Sequence, residues 1–488
     1  MSNKITLERE MLNSTKWSTM GEVFSKLISP ITNMILARLL IPSDFGIVAS
    51  VTMIISFADV FTDAGFQKYL IQADIKEKDF GETANVAFWS NFIFSICIWI
   101  FLYWIRIPLS VSIGLTDVAN ILPIATISII ISSFNTIQMG IFRRNFKFKK
   151  LFLIRILGSL IPIFVTVPLA VVGFKYWSII IGNIALSLTN ALMFYFISDW
   201  KPSFSFDFNI LKNMFSFSIW SLIEAISIWL TSWIDTFVIS TKLESKNLGI
   251  YKTGTTTING IMSIITGSTT PVLFSGLSKL KNDDHKFKQV FYNVQRYVAY
   301  IVLPLGVGVY TFRKFATMLF LGKGWDGADL VIGHWAITSS IMIVFGNYCS
   351  EVYRAKGKPK LSFIAQLLHL AFLIPVILIA VNINFKTLVI ARAWSRLQFV
   401  LVHFIFMKKY FDISFWSVFL NVKETMISAS IMGMIGVLLI RYEDSVLHQI
   451  LWIFLCIIIY FILLMVQKKS RQDMKLFYQN IRKRGARG

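Results

Sequence analysis

Charged and hydroxylated side chains interrupt the apolar runs of this 488-residue sequence at helical steps, and their types suggest two kinds of chemistry. Ser18, Glu22, Lys26, Ser29 and Asn33 recur every three or four residues, as do Thr52, Ser56, Asp59 and Asp63, so each set forms one stripe on a helix. A charge at the centre of a bilayer-spanning helix costs about 2.5–3.5 kcal/mol on insertion scales, so such stripes face protein or water rather than lipid. Further along, Ser221, Glu224, Ser227, Thr231 and Asp235 form a third stripe, and Lys252, Thr255, Asn259 and Ser263 a fourth. Lys26 and Lys252 sit on stripes, and Arg392 and Arg396 share one helix face with His403, which makes these four the candidate cavity cations. Glu22, Asp59, Glu224 and Asp235 are the candidate carriers of a coupling proton or sodium ion, because burial raises a carboxyl pKa and lets its charge change. Each assignment has a plainer alternative. Lys26 can pair with Glu22 one turn away, Lys252 can reach an outer surface, and Asp235 can bond a helix end.

The elements that must position these residues are membrane helices. Hydrophobic residues make up 55% of the chain against 15% charged, and the mean hydropathy of +0.65 is too high for a soluble globule of this length. The formal charge of +22 would suggest nucleic acid in a soluble protein. Here about two thirds of the 48 Lys and Arg fall in alternate short segments between apolar runs, the bias that places both termini in the cytoplasm. Nucleic acid is therefore excluded as a partner, and membrane lipids are expected instead. Cys97, Cys349 and Cys456 form no motif, and Met1 to Lys16 lacks the short apolar core of a cleavable signal peptide. His334, His369 and His403 each stand alone, and Asp283-Asp284-His285 reads as a solvated turn, so neither metal nor cofactor is expected.

Apolar runs of about 20 residues give about 14 spans. The first two cover 16–37 and 45–66, and the rest follow at 84–105, 118–140, 151–173, 177–197, 213–239, 249–276, 290–310, 328–350, 361–381, 387–407, 424–440 and 449–466. An internal repeat organises them. Trp17-Ser18, Leu40 and Phe45-Gly46-Ile47 return as Trp220-Ser221, Leu243 and Leu248-Gly249-Ile250, each 203 positions later. With six spans in each copy the repeat is parallel, its axis along the membrane normal. The expected architecture is an all-α integral membrane protein with two six-helix lobes around a central cavity, residues 1–200 and 201–410. An added helix pair occupies 411–466 and a basic cytoplasmic tail 467–488.

The segments Trp17-Ser18, Ala37-Arg38-Leu39-Leu40, Pro42-Ser43-Asp44-Phe45-Gly46 and Asp63-Ala64-Gly65-Phe66 resemble the start of bacterial polysaccharide flippases. Ile234-Asp235, Leu248-Gly249-Ile250-Tyr251, Pro271-Val272-Leu273-Phe274 and Ser278-Lys279-Leu280 are similar to the same family. This is the polysaccharide transporter family within the multidrug, oligosaccharidyl-lipid and polysaccharide export superfamily. Lys242-Leu243-Glu244-Ser245-Lys246 departs from the family's more apolar, Gly-containing hinge. The resemblance implies a monomeric, multi-pass flippase of the bacterial inner membrane rather than an enzyme. Such a protein moves an undecaprenyl-diphosphate-linked oligosaccharide to the outer leaflet by alternating access, for O-antigen, capsule or exopolysaccharide. On that implication Lys26, Lys252, Arg392 and Arg396 would contact substrate. The runner-up is a cation-coupled multidrug exporter of the same superfamily, which would need a cavity dominated by carboxylates. A membrane polymerase or ligase comes third, because it would need a larger outer loop than any segment here offers.

Overall fold

The computed structural model describes residues 21, 24–63, 65–72, 77–114, 118–442 and 445–473, which leaves Glu22 and the basic tail beyond 473 outside the description. The described residues are helical almost throughout. The early helices are α1 (24–39), α2 (Pro42–Asp63), α3 (Phe66–Gln72), α4 (Glu77–Trp104), α5 (Arg106–Ser112), α6 (Val118–Ala125) and α7 (Ile127–Arg144). Next come α8 (Phe148–Ile161), α9 (Val167–Val171), α10 (Lys175–Ile197), α11 (Phe208–Lys242) and α12 (Ser245–Lys279). The later helices are α13 (Asp284–Thr311), α14 (Arg313–Phe320), α15 (Ala328–Met342), α16 (Cys349–Ala355), α17 (Lys360–Val381), α18 (Phe385–Phe411), α19 (Phe415–Tyr442) and α20 (Val446–Val466). Twelve helices among the described residues are long and apolar enough to cross a membrane, thirteen if α13 and α14, bent by 94°, count as one span. The first expected span, 16–37, is described only in part.

Proline marks several helix starts and breaks in the first unit. Pro42 opens α2 at the position where its missing N–H costs nothing. Pro162 begins a π turn, Pro162–Thr166, that joins α8 to α9, and Pro123 precedes the break between α6 and α7. The freed carbonyl of Pro123 is not wasted: the Trp99 indole N–H donates to it at 3.0 Å.

The chain divides into two compact units, Met1–Thr253 with Ile377–Phe385, and Gly254–Val376 with Lys386–Gly488. In the first, α2 packs against α11, α4, α7 and α10, around a core that includes Val51, Ile54, Ile121, Leu122 and Ile129. Between the spans expected at 45–66 and 84–105 lies α3, whose Phe66 and Leu70 are fully buried against Val86, Phe88 and Ile137. Asp207 caps α11 by accepting from the Asn209 N–H at 2.6 Å.

In the second unit α13 packs against α15 and α19, and α19 against α20. Near its start α19 docks through polar groups: Asn421 donates to the Tyr292 carbonyl at 2.7 Å and to Gln295 at 3.0 Å. Arg296 grips Asp473 through two bonds of 2.5 and 3.1 Å, with Tyr300 donating to the same carboxylate at 2.8 Å. Glu424 accepts from the Ser470 N–H at 2.9 Å and its hydroxyl at 2.6 Å. The stretch after α20 is thereby clasped to α13 and α19.

Candidate functional site

The repeated hinge residues meet one another. A Cβ placed on Gly46 would collide with the Ser245 carbonyl, and one on Gly249 with the Pro42 carbonyl. Position 245 is 42 plus the repeat offset of 203, and 249 is 46 plus the same offset, so the two contacts are images of each other. Such reciprocity is the signature of a two-fold relation between copies. It also explains the glycines: the N-terminal turns of α2 and α12 approach until only a hydrogen fits.

Next to this apposition lies a polar network carried by α11 and α12. The Tyr251 hydroxyl donates to buried Asp235 at 2.6 Å, and the other carboxylate oxygen accepts from the Thr236 N–H at 2.7 Å. Lys252 donates to the Thr236 hydroxyl at 3.3 Å and lies 3.6 Å from the centre of the Trp233 ring. A cation held over an indole gains about 0.5–2 kcal/mol, more as water is excluded. Thr236 therefore links the candidate cation Lys252 to the candidate coupling group Asp235.

Two polar cavities open within the first unit and share Ser132, Thr136 and Met139 as wall. The larger, about 610 Å³, is faced by Ser25, Ser29 and Asn33 of α1, by Asn135 of α7 and by Asn183 and Asn190 of α10. The smaller, about 380 Å³, is faced by Ser56 and Asp59 of α2 and by Gln67 and Lys68 of α3. Members of both opening stripes thus meet polar space. Lys26 is half-buried on α1 and does not line the larger cavity, whereas among the described residues Arg155 is the cation that does. Asn135, Asn183 and Asn190 were missed, although Asn183 and Asn190 stand seven residues apart on one face of α10. Glu224 is exposed and pairs with Lys68 at 3.4 Å, both side chains about half accessible (54% and 46%).

The second unit holds a separate cationic cluster. The Arg392 and Arg396 guanidiniums lie 5.2 and 4.6 Å from the Trp335 ring, Arg396 donates to the Ser339 hydroxyl at 2.7 Å, and the Trp335 N–H donates to Asn259 at 2.9 Å. Arg392 is buried, at 6% exposure. Two guanidiniums beside one indole make an electropositive patch. His403 lies apart from this patch, its Nδ1 2.9 Å from the Tyr353 hydroxyl. Among the described residues no three His, Cys, Asp or Glu side chains converge as a metal site would require.

Long apolar helices, two of them opened by paired glycine turns, and polar cavities walled by hydroxyls and amides define a multi-pass membrane protein of the transporter kind. The chain belongs to the family described as polysaccharide biosynthesis protein, whose model matches residues 35–330. Within it, the chain is 22% identical over 326 residues to the succinoglycan biosynthesis transport protein ExoT of Rhizobium meliloti, covering 67% of this chain but only 65%, just under two thirds, of that relative. It is 20% identical over 381 residues to the lipopolysaccharide biosynthesis protein WzxC of Escherichia coli, covering 77% of this chain and 76% of the relative. Among solved structures, the lipid II flippase MurJ in an inward closed conformation matches with a TM-score of 0.73 at 15% identity, over 95% of this chain and 99% of its own. An inward-facing multidrug resistance MATE transporter of the MOP superfamily matches at 0.64 and 14%, over 80% and 94%. At those identities the structures establish a shared fold.

Proposed function

We propose that this protein is a flippase for an undecaprenyl-diphosphate-linked oligosaccharide, carrying it from the inner to the outer leaflet of the bacterial plasma membrane by alternating access. The observation that supports this most is the pair of polar cavities sharing the Ser132–Thr136 wall, walled by hydroxyls and amides with few carboxylates. Neutral hydrogen-bonding groups of that kind suit sugar hydroxyls. A multidrug exporter for cations would need acidic walls, and among the described residues Asp59 is the one carboxylate lining either cavity.

In this reading both termini are cytoplasmic, residues 1–200 and 201–410 act as the two moving lobes, and Lys26, Lys252, Arg392 and Arg396 contact substrate. Glu22, Asp59, Glu224 and Asp235 are the carboxylates through which a proton or sodium gradient would act. The test is removal of the gene in a host that makes a surface glycan. Loss of the glycan with build-up of its lipid-linked unit on the inner leaflet is expected. Unchanged glycan together with raised sensitivity to cationic drugs would overturn the reading in favour of the exporter.

A further inference from the structure

An apolar groove of about 800 Å³ runs through the first unit, lined by α2, α4, α5 and α11, and among the described residues no charged side chain lies on its walls. Its volume lies within the roughly 300–1,000 Å³ typical of small-molecule sites. Large rings form its sides and remain open: Phe57 is 40% exposed, Phe101 58%, Phe215 38% and Phe237 42%. Among the described residues lining it, the one polar group is the Trp229 indole N–H, which donates to the Ser56 hydroxyl at 2.9 Å.

That bond marks a chemical boundary. Ser56 belongs to the 380 Å³ polar cavity, Phe57 next to it belongs to the groove, and Leu222 lines both. On the polar side Lys68 is held by Glu224 through a pair about half exposed at each end. Exposed pairs of this kind are worth about 0–1 kcal/mol, so a more highly charged anion can take the carboxylate's place. Arg143 donates to Gln67 at 3.2 Å and Arg144 to the Leu70 carbonyl at 2.7 Å, which adds positive charge around α3.

We propose that the groove holds the isoprenoid tail of the carrier lipid nearest its diphosphate, with the diphosphate at Lys68 in place of Glu224. This rests on the flippase reading above and adds to it a tail site. The wall argues for a methyl-branched, unsaturated chain over a straight acyl chain. Phe57 and Trp229, with centroids 4.6 Å apart, and Phe94 and Phe215, at 5.8 Å, give it a stepped surface that branching methyls can fill. The charge argues for a diphosphate over a zwitterionic headgroup.

The experiment uses the full chain in phosphatidylcholine nanodiscs with a photoreactive undecaprenyl diphosphate whose label sits in the isoprene units nearest the head. Cross-links on the peptides carrying Phe57, Phe101 and Phe215 are expected. Unlabelled undecaprenyl diphosphate should suppress them at least tenfold more effectively than hexadecyl diphosphate or phosphatidylglycerol. Leu230→Trp, which fills the groove, should lower those cross-links at least tenfold, and Glu224→Gln should raise them. Equal suppression by the straight-chain competitors would show ordinary lipid occupancy and overturn the proposal, whatever the variants do. Saturable binding with cross-links elsewhere in the chain would sink the tail site alone. No saturable binding of undecaprenyl diphosphate at all would sink the flippase reading with it.

Discussion

Replacing Gly46 with alanine drives a methyl group into the Ser245 carbonyl, and because that neighbour is backbone it cannot rotate aside. Overpacking a tight contact costs about 1–3 kcal/mol. If the two hinge turns touch in only one of the states through which the protein alternates, that cost falls on this state alone. The populations then shift by about 5- to 150-fold toward the state in which the turns are apart. Gly249→Ala strikes the Pro42 carbonyl from the mirror position, so it should act in the same direction with similar size. The double variant should shift the balance little beyond either alone, since the first methyl already parts the surfaces the second would meet. The readout is maleimide labelling of Ser43→Cys, half-buried beside the contact, from the outer face of cells. Labelling at least fivefold faster in both glycine variants is expected. Unchanged labelling in both, or a change in one only, would refute the reciprocal closure.

Three further outcomes follow from the geometry. Asp473→Ala leaves Arg296 buried without its carboxylate, an arrangement that costs about 3–5 kcal/mol, and should lower the melting temperature in detergent, whereas a similar change at exposed Asp199 should not. Arg396→Ala should abolish surface glycan at normal protein level, with Arg396→Lys restoring little because the stack on Trp335 needs a planar cation; full restoration by lysine would show that charge alone suffices. Asp412, between α18 and α19, accepts from Lys408 at 2.6 Å and from Lys288 at 3.4 Å, and these bonds hold its pKa below the usual 3.8. Its stabilising effect is complete above the unfolded pKa and lost as pH falls through the lower folded value. The stability gap between wild type and Asp412→Asn should therefore be present at pH 7 and close as pH falls below the ordinary aspartate range.

Much of the fold is legible in hydropathy, since nearly every expected span has a helix over it. The helices run longer than expected at their polar ends: α11 begins at Phe208 and α12 ends at Lys279, because snorkelling Lys and short polar caps extend a helix past the apolar core that hydropathy registers. The short helices α3, α5 and α14 escape notice because a turn or two of apolar residues has no period long enough to read. The stripe pattern found Ser29, Asn33, Ser56 and Asp59, which do face cavities. It could not find Arg155, Asn135 or Asn190, whose position depends on how α7, α8 and α10 pack together. The 203-residue offset pointed to Gly46 and Gly249 as equivalents, while their mutual contact is a tertiary fact that no spacing contains.

The most direct measurement is leaflet transfer itself. Purified protein is reconstituted with an undecaprenyl-diphosphate oligosaccharide placed in one leaflet, and the sugar reaching the other is read by an impermeant lectin. Transfer that depends on the protein, slows at least tenfold in Arg396→Ala and ignores cationic drugs is the expected result. Transfer no faster than in empty vesicles, with the protein folded and the lipid bound, would contradict it.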